Sequence, residues 1–153
     1  MVVNVAFLLS QLGVHAAGRF AERIAELELT PPQTGLIRLV ASEPGLSQQA
    51  VAARLGMPAS RLVALVDGLD ERGIVERRRN PQDRRLHALH LTKDGEDLLG
   101  RIAVVGRAHD EALSEGLDSA ERATLQALLT RLAERQGLTP GVHPGYRRIG
   151  ERT

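Results

Sequence analysis

The residues with the clearest chemical purpose are arginines. From Arg72 to Arg85 the chain carries six arginines against two acids, Glu76 and Asp83, a local charge of about +4. Guanidinium groups gathered on a protruding segment can follow a phosphate backbone, or enter a minor groove where narrow A·T tracts concentrate negative potential. Twenty Lys and Arg oppose nineteen Asp and Glu over the whole chain. Attraction to a polyanion must therefore come from this patch and not from a global field. Charge alone also leaves room for a solvated arginine-rich strand pair; the position of the patch decides between the two.

Other chemistries find less material. The histidines stand at 15, 87, 90, 109 and 143, and there is no cysteine. His87 and His90, three apart on an extended segment, face opposite sides. His109, Asp110 and Glu111 are adjacent on a helical segment, where neighbouring positions diverge. Neither group chelates, and no thiolate supports a site, so no metal or cofactor is expected. The missing cysteines also exclude a disulfide framework and a thiol redox sensor. No nucleophile with its base, phosphate loop or paired carboxylates is recognisable, so no catalytic residue is assigned and the chain does not read as an enzyme. Aromatic residues are 2% of the chain, with Phe7, Phe20 and Tyr146 widely spaced. That argues against carbohydrate binding and against base stacking on single-stranded nucleic acid.

The elements that must position the arginines follow from hydrophobic spacing and from start and stop residues. Val5, Leu8, Leu9, Leu12, Ala16, Phe20, Ile24 and Leu27 recur at helical spacing and predict a long first helix with one buried stripe, ending before Pro31 and Pro32. Thr30 and Gln33 form a capping box for a second helix running to about Ala41. Ser47 caps a short third helix with Ala50, Val51 and Leu55 inward, closed by Gly56. Pro58 opens a fourth whose Leu62, Leu65, Val66 and Leu69 face the core, stopped by Gly73. Two short helices joined by a tight turn make a helix-turn-helix signal. IVERRR and LHALHL then read as strands around the turn formers of NPQDRR, so the arginines sit on a β-hairpin directly after the second helix. Hairpin and helix can touch one duplex, which favours DNA over a merely solvated surface. Thr92 caps a fifth helix with Leu98, Leu99, Ile102, Val105 and Ala112 as its stripe. Asp118 opens a sixth, with Ala123, Leu125, Leu128, Leu129 and Leu132 apolar. The fold class is mainly α with a small β-hairpin, a winged helix-turn-helix with N- and C-terminal dimerisation helices.

The order helix-turn-helix followed by DERGIVERRRNPQDRRLHALHLTKDGEDLL resembles the MarR family of bacterial regulators over about residues 5 to 136. Its most specific motif is the Asp-x-Arg of the wing, here Asp83-Arg84-Arg85, followed by a hydrophobic strand and Leu91-Thr92 with Gly95. The resemblance implies that Arg85 enters the minor groove, that Asp83 orients it by a charge-assisted hydrogen bond, and that Arg84 meets phosphate. A plain turn residue is the other reading of Asp83. On the recognition helix the matching groove-facing positions are Ser60, Arg61, Val63, Ala64 and Asp67, with Arg61 suited to guanine or phosphate. Ser47, Gln48 and Gln49 lie at a helix N-terminus that in this fold approaches the backbone; ordinary capping and exposure explain them equally well. Arg77 and Arg79 complete the expected contacts. Arg77, Arg78 and Arg79 alternate along a strand and cannot all face one groove.

The organisation expected is an N-terminal dimerisation helix (1–30), a winged helix-turn-helix DNA-binding domain (31–92), C-terminal dimerisation helices (93–136) and a flexible tail (137–153), with one docked turn around Tyr146. The end helices carry more apolar surface than a small wing domain covers, so a homodimer on a pseudo-palindromic operator is expected, with half-sites about 10 base pairs apart. The resemblance also implies a ligand-responsive repressor whose small anionic or phenolic effector lies between wing domain and dimer helices. His15, Arg19 and Arg38 are its candidate cations. The start lacks a basic n-region, and no apolar run approaches the roughly 20 residues of a membrane helix, so a cytoplasmic protein is expected. A winged-helix protein-interaction module binding an acidic partner is the alternative.

Overall fold

The computed structural model describes residues 3–83 and 87–147. Helices α1 (Val5–Ala25), α2 (Pro31–Ser42), α3 (Gln48–Leu55) and α4 (Ala59–Glu71) precede an antiparallel hairpin of β1 (Val75–Arg79) and β2 (His87–Leu91). Helices α5 (Lys93–Leu113) and α6 (Ser119–Arg135) follow, then a short 3-10 turn, Pro144–Arg147.

The expected boundary chemistry is present. Thr30 and Gln33 satisfy each other's backbone N–H groups in a capping box. The Ser47 hydroxyl accepts from the Ala50 N–H at 3.1 Å, and Gly56 closes α3 in the left-handed region at φ +65. Pro58 lies one residue outside its helix, at the N-cap, and α4 begins at Ala59. Thr92 caps α5 by accepting from the Gly95 N–H at 3.0 Å. Asp118 and Glu121 form a second capping box for α6.

The core is aliphatic, as the composition requires. Leu36, Ile37 and Val40 of α2, Val51 and Leu55 of α3, and Leu62, Val66 and Leu69 of α4 pack with Val75 and Leu89 of the hairpin. Ile24 of α1 and Leu98 and Ile102 of α5 close this core from the flanks. The loop before α3 ties the hairpin down. The Gly45 N–H donates to the Leu89 carbonyl and the Leu89 N–H to the Leu46 carbonyl, both at 2.9 Å. Ser47 bridges Ala88 beside them.

The long stripes depart from expectation. Of α1 only Ile24 is buried, while Val5 and Leu12 are 67% and 58% exposed and Phe7, Leu8 and Leu9 are exposed beside them. No residue of α6 is buried. On α5 the stripe is buried only at Leu98 and Ile102, with Ala112 exposed. The reason is geometric: among the buried residues only Ile24 at the end of α1 and Leu98 and Ile102 in the first half of α5 reach the core of the reading head, and none of α6 joins it.

The tail turns back. Val142 and Tyr146 pack on the core, and Tyr146 lies directly over Gly35 in α2, where a Cβ would meet its ring at 2.8 Å. The docked turn expected around Tyr146 is therefore present.

Candidate nucleic-acid interface

The buried side of α4 carries Leu62, Val66 and Leu69. A helix repeating every 3.6 residues must then turn Ser60, Val63, Ala64 and Asp67 together to the other side, and all four are exposed. Arg61, half-buried at the edge of this face, has its Nε buried without a hydrogen-bond partner. The face is short in polar groups: Ser60 and Asp67 flank Val63 and Ala64, which suit apolar contact with thymine methyls.

At α3 the three expected residues separate. The Ser47 hydroxyl is occupied in capping, Gln48 is half-buried and accepts a hydrogen bond from Arg77, and Gln49 is exposed. The Ser47 hydroxyl thus meets a structural need of α3, and Gln49 is the freest of the three.

The hairpin register pairs Val75 with Leu91, Arg77 with Leu89 and Arg79 with His87, placing Val75, Arg77 and Arg79 on one face. Arg78, on the other face, bonds Glu76 at 2.5 and 2.8 Å. Arg79 is exposed nearer the tip. Arg77 is 20% exposed, and each of its three nitrogens has a partner. Nε donates to Gln48 Oε1 at 2.7 Å, Nη1 to Asp70 Oδ2 at 3.1 Å, and Nη2 to Asp67 Oδ1. At the tip the Gln82 N–H donates to Asn80 Oδ1 at 3.0 Å, a side-chain-closed turn. Asp83 is exposed there. Arg84 and Arg85, the residues expected to reach phosphate and minor groove, lie outside the described residues.

Sequence reasoning missed Asp70, because nothing local marks it as the partner of an arginine seven residues on in another element. It also missed His109, whose ring packs on Phe20 of α1 with centroids 5.4 Å apart. Burial holds this imidazole below its ordinary value of 6.5. Arg23, and more weakly Arg19 and His15, push the same way, while Asp110 opposes them.

A crevice of about 610 Å³ lies between α1, α2, α6 and the tail, lined by Phe20, Arg38, Thr130, Val142 and Tyr146 among others. Two adjoining hollows of about 550 and 400 Å³ share Phe20 and Arg38 with it. Of the three candidate effector cations only Arg38 lines this space. His15 and Arg19 are exposed on α1, and Arg19 pairs with Glu22 at 2.6 Å. Among the described residues no group of three His, Cys, Asp or Glu is placed to hold a metal, and no helix is long and apolar enough to cross a membrane.

Comparison with known proteins agrees with this geometry. A MarR family profile matches residues 27–86, from just after α1 to the residue before β2. A relative from Thauera aromatica, named as a putative transcriptional regulatory protein for the hcr operon, is 36% identical over 141 residues, 92% of this chain and 85% of that protein. CouR, a transcriptional repressor solved bound to a 23-mer DNA duplex, is similar with a TM-score of 0.75 and 31% identity, over 85% of this chain and 92% of the CouR chain. Wild-type MarR from E. coli shares the fold with a TM-score of 0.77 at 22% identity, over 86% of this chain and 98% of that one. A helix-turn-helix, a basic wing and flanking helices arranged as in these regulators, with 36% identity along nearly the whole chain, place the protein in the MarR family of winged helix-turn-helix DNA-binding transcriptional regulators.

Proposed function

We propose that this regulator acts as a homodimeric, ligand-responsive repressor on a pseudo-palindromic operator. The observation that carries the reading is the pair of uncovered apolar faces at the chain's two ends. Val5, Phe7, Leu8, Leu9 and Leu12 of α1 and Leu125, Leu128, Leu129 and Leu132 of α6 are all more than 40% exposed. Apolar surface of that kind is costly in water and suits a self-complementary two-fold contact. Residues 1–30 and 93–136 would then form the dimer and residues 31–92 the reading head. A two-fold dimer presents two copies of α4 and the wing to half-sites one helical turn apart. Ser60, Arg61, Val63, Ala64 and Asp67 would face the major groove, while Gln49, Arg79 and the tip arginines Arg84 and Arg85, oriented by Asp83, would meet backbone and minor groove. Repression is the role of CouR, and its likeness to this chain supports the same sign here. The crevice beside Arg38 suits a small anionic or phenolic effector, since a guanidinium on an otherwise largely apolar wall would orient a carboxylate. Such a regulator works where the chromosome is, in the cytoplasm.

Light scattering on the full chain at micromolar concentration, with footprinting of the promoter at its own locus, tests the reading. A dimer protecting two half-sites about 10 base pairs apart is expected, with protection relieved by some member of a series of small aromatic carboxylates. A monomer, or a single unpaired half-site, refutes the dimeric reading.

A further inference from the structure

The engagement of Arg77 departs from what a basic hairpin suggests. We propose that Arg77 is a positioning residue: it braces the wing against the recognition helix and neutralises carboxylates on that helix, without itself contacting DNA. The inference rests on α4 and the wing engaging one duplex.

Three observations carry it. The guanidinium joins three elements: Gln48 at the start of α3, Asp67 and Asp70 on neighbouring turns of α4, and its own strand β1. A planar fork with donors in fixed directions can satisfy such a set, whereas a lysine ammonium, a single point charge, cannot span it in the same way. All three nitrogens are engaged and only 20% of the side chain is exposed. Three of its five N–H donors are thereby used, and with four-fifths of the side chain covered little of the guanidinium is left for a phosphate to reach. Finally, Asp67 shares its exposed face with Ser60, Val63 and Ala64. A carboxylate there repels phosphate unless a cation compensates it, and Arg77 is that cation.

The functional consequence is selectivity. Non-specific binding draws mostly on phosphate contacts and tolerates some freedom between wing and helix. Specific binding needs base edges and groove read together at one fixed angle. Loosening the brace should therefore cost more on a preferred sequence than on an arbitrary one.

The test uses the full chain and two probes: a duplex selected by the unaltered protein from a randomised library, and poly(dI-dC). Asp70→Ala removes one arm of the brace at a half-exposed helical position where alanine is a good helix former. The expected result is unchanged or slightly tighter binding to poly(dI-dC), because an acid is lost. Affinity for the selected duplex should fall, so that the ratio of the two drops roughly five-fold. Arg77→Met should lower the ratio by about ten-fold or more while leaving the slope of log affinity against log salt on poly(dI-dC) unchanged. Two results overturn the proposal. One is parallel tightening on both probes by Asp70→Ala, with a slope loss of about 0.9 for Arg77→Met, which marks a lost phosphate contact. The other is an unchanged ratio in Asp70→Ala. Melting curves accompany both variants. If Arg77→Met does not fold, Asp70→Ala decides alone, because simple charge removal and brace loss move its ratio differently.

Discussion

A Cβ placed on Gly95 would stand 2.1 Å from the carbonyl oxygen of Ile74. The first turn of α5 therefore lies flush against the chain entering the wing, and Thr92 fastens the two. Its hydroxyl donates to the Gly73 carbonyl at 2.5 Å and accepts from the Gly95 N–H at 3.0 Å. The direction in which α5 leaves the reading head is set by this contact.

Gly95→Ala should consequently destabilise the protein by about 3 kcal/mol, since the clash is with backbone and not with a flexible side-chain end. Urea denaturation measures it. At Gly100, also within α5, an added Cβ would meet nothing within 4 Å, and Gly100→Ala should instead gain up to about 1 kcal/mol. Equal effects at the two sites would contradict the packing described.

Arg72, the C-cap of α4, makes a second link at this same end of the recognition helix. Its guanidinium donates to the Glu28 carbonyl at 2.7 Å and the Leu27 carbonyl at 3.3 Å. Glu28 holds a left-handed backbone at φ +56 that a glutamate adopts only at a cost. Arg72→Ala should lower stability by about 1 kcal/mol, because the bonds lie at the surface. Hydrogen exchange should show faster opening in the turn from Leu27 to Thr30; protection unchanged there would mean that Arg72 does not hold this turn.

Tyr146 is the chain's one tyrosine and there is no tryptophan, so intrinsic fluorescence reports the docked tail directly. Gly35→Ala places a Cβ 2.8 Å from the ring and should displace it, raising acrylamide quenching. Burial pushes the phenol above its ordinary value of 10, with Arg38 pulling weakly the other way. In the variant the phenol should titrate closer to 10. In the unaltered protein the docked turn should loosen as the pH climbs through the alkaline range, because the unfolded chain ionises first. Identical quenching and titration in both proteins would count against the Gly35 seat.

His109 predicts an acid-side effect. The unfolded chain takes up a proton on this imidazole near its ordinary 6.5, whereas the folded chain, with the ring against Phe20 and facing Arg23, resists it. Stability contributed by the neutral ring is thus present above that value and is lost as the pH falls through and below it. Urea midpoints followed from about pH 7.5 to 5.5 should fall more in the unaltered protein than in His109→Gln. Parallel curves would assign the acid response to other groups.

The elements of this protein are legible in its sequence because their causes are local. Thr30 with Gln33, Ser47, Gly56 and Thr92 act on backbone groups three or four residues away, and each sets a boundary where expected. The Asp83-Arg84-Arg85 motif and the hairpin after the helix-turn-helix likewise mark the family from sequence alone. Alternation along β1 foretold that Arg78 would part from Arg77 and Arg79, as the register places them.

Only the tertiary structure decided what each face meets. Arg77 looks like its neighbours in the sequence, yet its partner Gln48 lies 29 residues back and Asp67 10 residues back, joined when β1 docks on α3 and α4. Gly35 carries no mark in the sequence, and Gly95 only its place in the family motif, until Tyr146 and Ile74 are laid over them. The stripes of α1 and α6 announce that they must be covered but not by what, because hydrophobic spacing records the need for a partner and carries no direction to it. Local bonding chemistry is written residue by residue; the pairing of distant surfaces emerges from how the whole chain packs.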